Sequence, residues 1–502
     1  MSEFEVVTGR APEDESGGGG CRNCGLGCLG FLILGAILFG VMSANASARL
    51  DARFIQASQE IAELQDAADV RRSTVVGEPD NDEDAVVDYN GLEWVLTSGK
   101  DGNRRESWKK RRPALPEGID AMVERANPEG EELDYVTLAA LLAGIDPDRE
   151  FEDTPRERAR RKKAEALFKR LRPVLRYVRD GLSRGKCNWE TQWARGMRFE
   201  LPNLLAMRTA ANLMAYEASL QPPSEAIRTG LQIVAFGEDL GRQGTMIGGM
   251  IGIAVSAIGF KSLAHTMGRP GCEAGDYRKV VAALEGYRGA PVDALLASER
   301  LVGVVSALEL SGRPMEEAGS EELGYEASTG EKLLFALSIL QVRELEGYEH
   351  FMGRGVEISR LPREQRPAAW DEWGRDLQDS SYIVIKVAMP NLRAVQGNLT
   401  EAEALARITR VLAAAHLVRL EEGAFPNSIR GLARVLGEGI EDPCSATAGA
   451  TLLYARDGER LYCWAVGDDK ADGGGANSWK TKNPAPTQGS DDRGLMTQIP
   501  SK

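Results

Sequence analysis

Apolar residues along the chain fall into three patterns: one uninterrupted run, a series of helical stripes, and one short stretch of alternation. The uninterrupted run is Gly25 to Ala44, GLGCLGFLILGAILFGVMSA, 20 residues without a charge. A helix of that length crosses a hydrocarbon core roughly 30 Å thick, so a single N-terminal transmembrane helix is predicted over 25–44. The preceding residues, 1–24, contain Glu13, Asp14, Glu15 and a Gly17–Gly20 spacer instead of the basic n-region of a cleaved signal peptide. Small residues around Ala44, Ala46 and Ala48 would suit a peptidase, but the run is longer than a usual signal core. Arg10 and Arg22 before the span balance Arg49 and Arg53 after it, which leaves the positive-inside rule without a preference. The shortness of the leading tail then favours a cytoplasmic N-terminus with the bulk translocated.

A second apolar run, Met246 to Phe260, is short for a span and is bounded by Arg242 and Lys261. Gly248, Gly252, Ser256 and Gly259 would let a neighbouring helix approach closely, so a buried core helix is expected.

Helical stripes begin directly after the span. Leu50, Phe54, Ala57, Ile61, Leu64 and Ala68 follow helical spacing and predict a stalk that continues the anchor. The acidic, turn-forming stretch Gly77 to Asp84 ends it, so residues 45–84 are read as stalk and linker. Over 85–399 a helical domain is expected. Its clearest stripe runs within Pro155–Arg184, where Ala164, Leu167, Phe168, Leu171, Val174, Leu175, Val178 and Leu182 share one face. The other faces are basic: Arg156, Arg158, Arg160, Arg161, Lys162, Lys163, Lys169, Arg170, Arg172 and Arg176 suit either solvent or an anionic partner. Further helices are predicted at 201–219, 224–240, 276–284, 292–310, 330–343 and 400–421. Short Gly- and Pro-marked connections imply antiparallel neighbours, hence a helical bundle or an irregular helical solenoid. In the loop after the basic helix, Trp189 and Trp193 either cap the helical core or, with Glu190, line a pocket.

Alternation appears only near the C-terminus. Ala450 to Ala455 and Arg460 to Val466 flank Arg456-Asp457-Gly458-Glu459, the pattern of an antiparallel β-hairpin. A module over 400–480, a helix followed by this hairpin, is therefore expected, with a disordered tail at 481–502. The predicted fold class is mainly α, with that small β-module at its end.

Composition narrows the function classes. A net charge of -14 argues against a general nucleic-acid binder, since such affinity comes from Lys and Arg on phosphates. Only three histidines occur, His265, His350 and His416, and none has metal-ligand spacing. Cys21, Cys24 and Cys28 cluster beside the span. Beyond it Cys187, Cys272, Cys444 and Cys463 are either buried thiols or two bridges, Cys444–Cys463 and Cys187–Cys272. Catalytic motifs are not apparent; Glu190, Glu200, Glu217 and Glu238 are acids from which a hydrolase would have to assemble a site.

Gly423-Ala424-Phe425-Pro426, Asp442-Pro443, Tyr454, Tyr462, Val466-Gly467, Asp469 and Asp472-Gly473-Gly474 carry a resemblance to the C-terminal part of major pseudopilins of the bacterial type II secretion system. The same residues resemble the tails of membrane-anchored proteins of planctomycete-type bacteria. The resemblance covers 400–480 and implies a bacterial inner-membrane protein with its bulk in the periplasm. It also implies calcium at the acidic loop, with Asp468, Asp469 and Asp472 as oxygen ligands; a solvated turn is the other reading. Pilin-type anchors usually carry a Glu early in the mature helix, and this one has none between Cys21 and Gln59. The expectation is thus a non-enzymatic membrane-anchored scaffold with protein partners. A minor pilus or secretion component, or a carboxylate hydrolase, is the alternative.

Overall fold

The computed structural model describes residues 22–66, 69–70, 81–84, Tyr89, Leu92 and, apart from short gaps, 154–310, 338–466 and 493–498. The first element, α1, is one helix from Arg22 to Asp66. It carries the charge-free run and the predicted stalk without a break. The side chains of 22–40, and with them most of the predicted span, lie outside the described residues.

The stalk reading needs correction. Ala46, Leu50, Ala57 and Ile61 are buried, so α1 beyond residue 45 is docked along the body and does not project from it. The acidic linker is also partly ordered. β1 (Asp69–Val70) and β2 (Asn81–Asp84) flank β3 (Arg184–Cys187) in a sheet of order β1-β3-β2. β2 lies parallel to β3, with Asn81 in register with Arg184 and Asp84 with Lys186.

The basic helix is α2 (Pro155–Leu171), a tight turn at Arg172–Leu175, then α3 (Arg176–Leu182). Pro173 has no N–H to donate and interrupts the ladder there. The predicted stripe packs inward, with Ala164, Phe168, Leu171, Leu175, Val178 and Leu182 all buried. Next come α4 (Leu204–Leu220), α5 (Pro223–Gly241), α6 (Met246–Met267), α7 (Ala274–Ala283) and α8 (Val292–Leu310).

α6 is the centre of the body. Among the described residues it is the one helix long and apolar enough to cross a membrane, yet it packs against α4, α5 and α8 and against the C-terminal elements. Its closest contact is with α5. A Cβ on Gly252 would lie 2.5 Å from the Gly237 carbonyl and 2.8 Å from the Gly241 nitrogen, so the two backbones nearly touch. Thr245 caps α6 by accepting the Gly248 N–H at 2.9 Å, as an N-cap threonine does.

α9 (Ser338–Arg360) and α10 (Arg366–Asp379) follow, then α11 (Leu392–Glu422), capped at its start by Asn391 and ended by Gly423 in the left-handed conformation. α11 runs straight through the expected boundary at residue 400. Its buried face shares one core with α5, α6 and α7 and with the C-terminal strands.

After a single short turn of helix, α12 (Ala433–Leu436), the predicted hairpin forms as β4 (Leu453–Asp457) and β5 (Arg460–Ala465). A third strand, β6 (Arg493–Gln498), pairs antiparallel with β5, Cys463 facing Leu495. The tail expected to be disordered from 481 therefore supplies a strand at 493–498. Leu461, Cys463, Ala465, Leu495 and Thr497 are buried, and β5 and β6 pack on α11.

Candidate functional site

The most concentrated polar chemistry in the described residues is where α1 docks on α8 and α9. The docked face of α1 is mainly small and apolar, and it presents Arg53 and Glu60 among Leu50, Ala57 and Ile61. α8 presents Arg300 and α9 presents Glu349 to the same seam. The four groups close a ring. Arg53 Nη1 lies 3.1 Å from Glu60 and its Nη2 lies 2.6 Å from Glu349. Arg300 completes it, 2.9 Å from Glu60 and 3.1 Å from Glu349. Two positive and two negative charges thus balance in a partly buried seam, with Arg53 the most enclosed of the four. At such partial burial each guanidinium needs both carboxylates, because an unpaired charge there is costly to desolvate.

One turn toward the N-terminus, Arg49 pairs with Glu346 at the surface. Pairs 49–346 and 53–349 advance together, so α1 and α9 run parallel. Between them lies a cavity of about 260 Å³ with Arg49, Arg53, Glu346 and Glu349 on its walls and Leu50 and Leu345 beside them.

A second buried polar centre surrounds Asp239 at the end of α5. The Tyr89 hydroxyl donates to its carboxylate at 2.5 Å, and Trp189 Nε1 donates to its carbonyl at 2.8 Å. Tyr89 stacks on Trp189 with centroids 5.7 Å apart. Trp189 and Trp193 are both buried, in different clusters, so the tryptophan loop caps the core. Cys187 belongs to the Trp189 cluster, whereas Cys272 packs with α7 and α11 in another. None of the four described cysteines is in a disulfide, so neither expected bridge forms. Burial pushes the Cys272 thiol up, and also the Cys463 thiol, where nearby Asp442 adds to the effect.

Asp442, singled out by its Asp-Pro dipeptide, organises the C-terminal module. Its carboxylate accepts the Cys444 and Val466 N–H groups, each at 2.8 Å. It thereby ties the segment before β4 to the end of β5. Desolvation holds its pKa above the ordinary carboxylate value against those hydrogen bonds. Phe425 packs edge-on against His416 at 5.3 Å, and His416 stacks on Tyr277 at 5.1 Å. Asp468, Asp469 and Asp472 lie outside the described residues, in the connection between β5 and β6.

Of the four acids considered for hydrolysis, Glu217 and Glu238 are among the described residues, on α4 and α5. Glu217 is buried and clamped by Arg172, at 2.7 Å, and by Arg179. Glu238 stands on α5, while Glu190 and Glu200 lie outside the described residues. No group of three metal-ligating side chains occurs among the described residues.

Sequence reasoning did not find the ring of Arg53, Glu60, Arg300 and Glu349. Its one sequence signal is Arg53 and Glu60 set seven residues apart on the apolar side of an otherwise Ala- and Leu-faced helix. No family model, curated protein or solved structure matches the chain.

Proposed function

We propose that the chain is a single-pass membrane-tethered scaffold. On this reading residues 25–44 lie in a bacterial inner membrane, the N-terminus is cytoplasmic, and the helical body stands in the periplasm and binds protein partners. One observation carries it: α1 is a single helix whose first half has the length and composition of a span and whose second half is built into the body. A flexible tether only keeps a domain nearby, whereas a helix shared by span and body fixes its distance from the bilayer.

The basic face of α2 supports partner binding. Arg156, Lys162 and Lys169 are exposed there on a chain of net charge -14. A local reversal of charge sign selects acidic partners and speeds their encounter. Glu217, held between two arginines, serves structure and gives no support to a hydrolase.

Alkaline carbonate extraction and protease accessibility test the tether. The intact chain should stay with the membrane, and a variant lacking 25–44 should appear in the soluble fraction. Release of the intact chain by carbonate would overturn the tether. Cross-linked pull-down tests the scaffold: partners captured by the parent should be lost when Arg156, Lys162 and Lys169 are changed to Glu. A monomeric, partnerless chain would count against it.

A second reading, a minor component of a pilus or secretion filament, is favoured by the antiparallel sheet packed on α11. The mature N-terminus decides it. Cleavage near Gly27 or Gly30 supports that reading, and an intact Met1 ends it.

A further inference from the structure

Three arginines converge on one carboxylate where the turn between α9 and α10 meets α11. We infer that this cluster binds a phosphate monoester, its phosphate seated on Arg363, Arg366 and Arg407.

Arg363 opens the short helical turn before α10, and Arg366 is the first residue of α10 itself. Arg407 stands one turn after Glu403 on α11. Glu403 Oε1 lies 3.2 Å from Arg363 Nη2 and 2.6 Å from Arg407 Nη2, so two guanidiniums share one oxygen. Arg366 contacts no carboxylate among the described residues. Its Nε donates to the Leu361 carbonyl at 2.8 Å, and its Nη atoms make no hydrogen bond among the described residues. Arg407 Nη1 donates to the Glu441 carbonyl at 2.9 Å. Neutral backbone acceptors thus fix two of the three guanidiniums without cancelling their charge.

Contacts therefore set three positive charges against one negative. Glu403 is 17% exposed and Arg407 18%, so water screens the surplus only in part. Two further acids act from a distance. Glu364 is exposed, and Asp442 gives its carboxylate to the Cys444 and Val466 N–H groups. Burial, then repulsion by Arg363, lowers the Arg366 pKa from its ordinary value, and the guanidinium stays charged. The start of α10 has the same sign. Gln365 provides no side-chain cap and the first turn holds no acid, which leaves the positive end of the helix dipole unbalanced.

Charge and shape select the ligand. A dianion supplies the two missing negative charges, and a phosphate monoester, with a second pKa of about 6, is nearly that at neutral pH. Its three terminal oxygens can accept from guanidinium forks arriving from different directions. A carboxylate brings one charge and two oxygens in one plane, and a phosphodiester brings one charge.

The test titrates the full chain, in mild detergent and chloride buffer at about pH 8, where the monoester is a dianion, with glycerol 3-phosphate, read by isothermal titration calorimetry. Inorganic phosphate, dimethyl phosphate and acetate form separate arms. We expect one glycerol 3-phosphate per chain with a Kd of about 1 mM or tighter, and the two monoanions at least about tenfold weaker. Arg366→Gln should weaken binding at least about tenfold and melt close to the parent, because its Nη atoms hold nothing in the empty site. Glu403→Gln removes the internal competitor and should tighten binding severalfold, a gain that a merely structural ion network would not give. If Glu403→Gln lowers the melt, Arg366→Gln decides alone. Heat that does not saturate, or a Kd unchanged by Arg366→Gln, would overturn the site. Dimethyl phosphate or acetate bound as tightly as the monoester would overturn the dianion, and inorganic phosphate bound more tightly would overturn the ester as its source.

Discussion

His416 offers a direct measure of how tightly the C-terminal sheet closes on the helical body. Its ring is 1% exposed, stacked on Tyr277, edge-on to Phe425, with Nε2 3.4 Å from the Thr497 hydroxyl of β6. Burial, with a smaller contribution from Arg419, depresses its pKa from the ordinary value to about 3. The folded chain therefore keeps this histidine neutral down to about pH 3, while the unfolded chain protonates it below about pH 6.5. In that window the unfolded state binds the extra proton, so stability rises with pH and falls on acidification. The slope approaches about 1.4 kcal/mol per pH unit, and between pH 7 and pH 5 the loss is roughly 2 kcal/mol. His416→Phe keeps an aromatic ring in the stack and removes the titration. Urea unfolding of parent and variant in detergent, at pH 7 and pH 5, isolates the contribution as a difference of differences, because carboxylates and the other histidines cancel. The parent should lose about 2 kcal/mol more than the variant over that interval. Equal losses would mean that His416 is hydrated in the folded chain and that β6 does not cover α11.

Gly252→Ala should cost about 2–3 kcal/mol of stability, because its Cβ meets backbone of α5 on both sides. Gly353→Ala on α9 has nothing within 4 Å of the new Cβ and should stabilise by about 0.5–1 kcal/mol; thermal melts of the two compare the crossing with an open helix face. Asp442→Ala leaves the Cys444 and Val466 N–H groups without their acceptor and should cost about 2–4 kcal/mol, seen first as proteolysis between β4 and β5. Arg300→Leu leaves Glu60 and Glu349 sharing Arg53 alone and should cost roughly 2 kcal/mol, while Arg300→Lys should recover part of it. Urea midpoints of these two variants give the comparison.

Patterns of a single period were the most legible. The stripe from Ala164 to Leu182 gave α2 and α3 with their buried face, because apolar residues at helical spacing have one way to leave water. The hairpin was equally clear, since alternation flanking Asp457-Gly458 specifies both strands and turn. The run from Met246 to Phe260 was read correctly as core, because its glycines suit a helix crossing better than a lipid-facing surface. Elements whose cause is remote in sequence were not legible. β6 alternates weakly and exists because β5 offers an open edge. α9 runs on to Arg360, past the end predicted at 343, and Gly347 and Gly355 are places where Tyr382 and Leu392 approach the helix. The helix at 366–379 was missed because its apolar anchors, Trp370 and Trp373, are few and sit among charges. The candidate site was illegible for the same reason: Arg53 and Glu60 acquire meaning only when Arg300 and Glu349 arrive from hundreds of residues away.

That ring also explains how α1 holds one position. The apolar face it docks with, Ala46, Leu50, Ala57 and Ile61, has little relief, since two of its four members are alanines. A smooth seam tolerates sliding by one helical turn, about 5.4 Å, with modest loss of buried area. The ion ring does not tolerate it. A shift of one turn would bring Arg49 to Glu349, or Arg53 to Glu346, but it would carry Glu60 away from Arg300 and break the closed ring. Ion pairs in such settings add little net stability compared with apolar packing, but separating them is expensive. The ring therefore acts on register more than on affinity. On the proposed tether, register along α1 sets height above the bilayer. A lateral surface such as the basic face of α2 is useful to a partner in the same membrane only at a set height. Four charges in a seam that apolar residues could have filled more simply are what such a requirement would leave in the sequence.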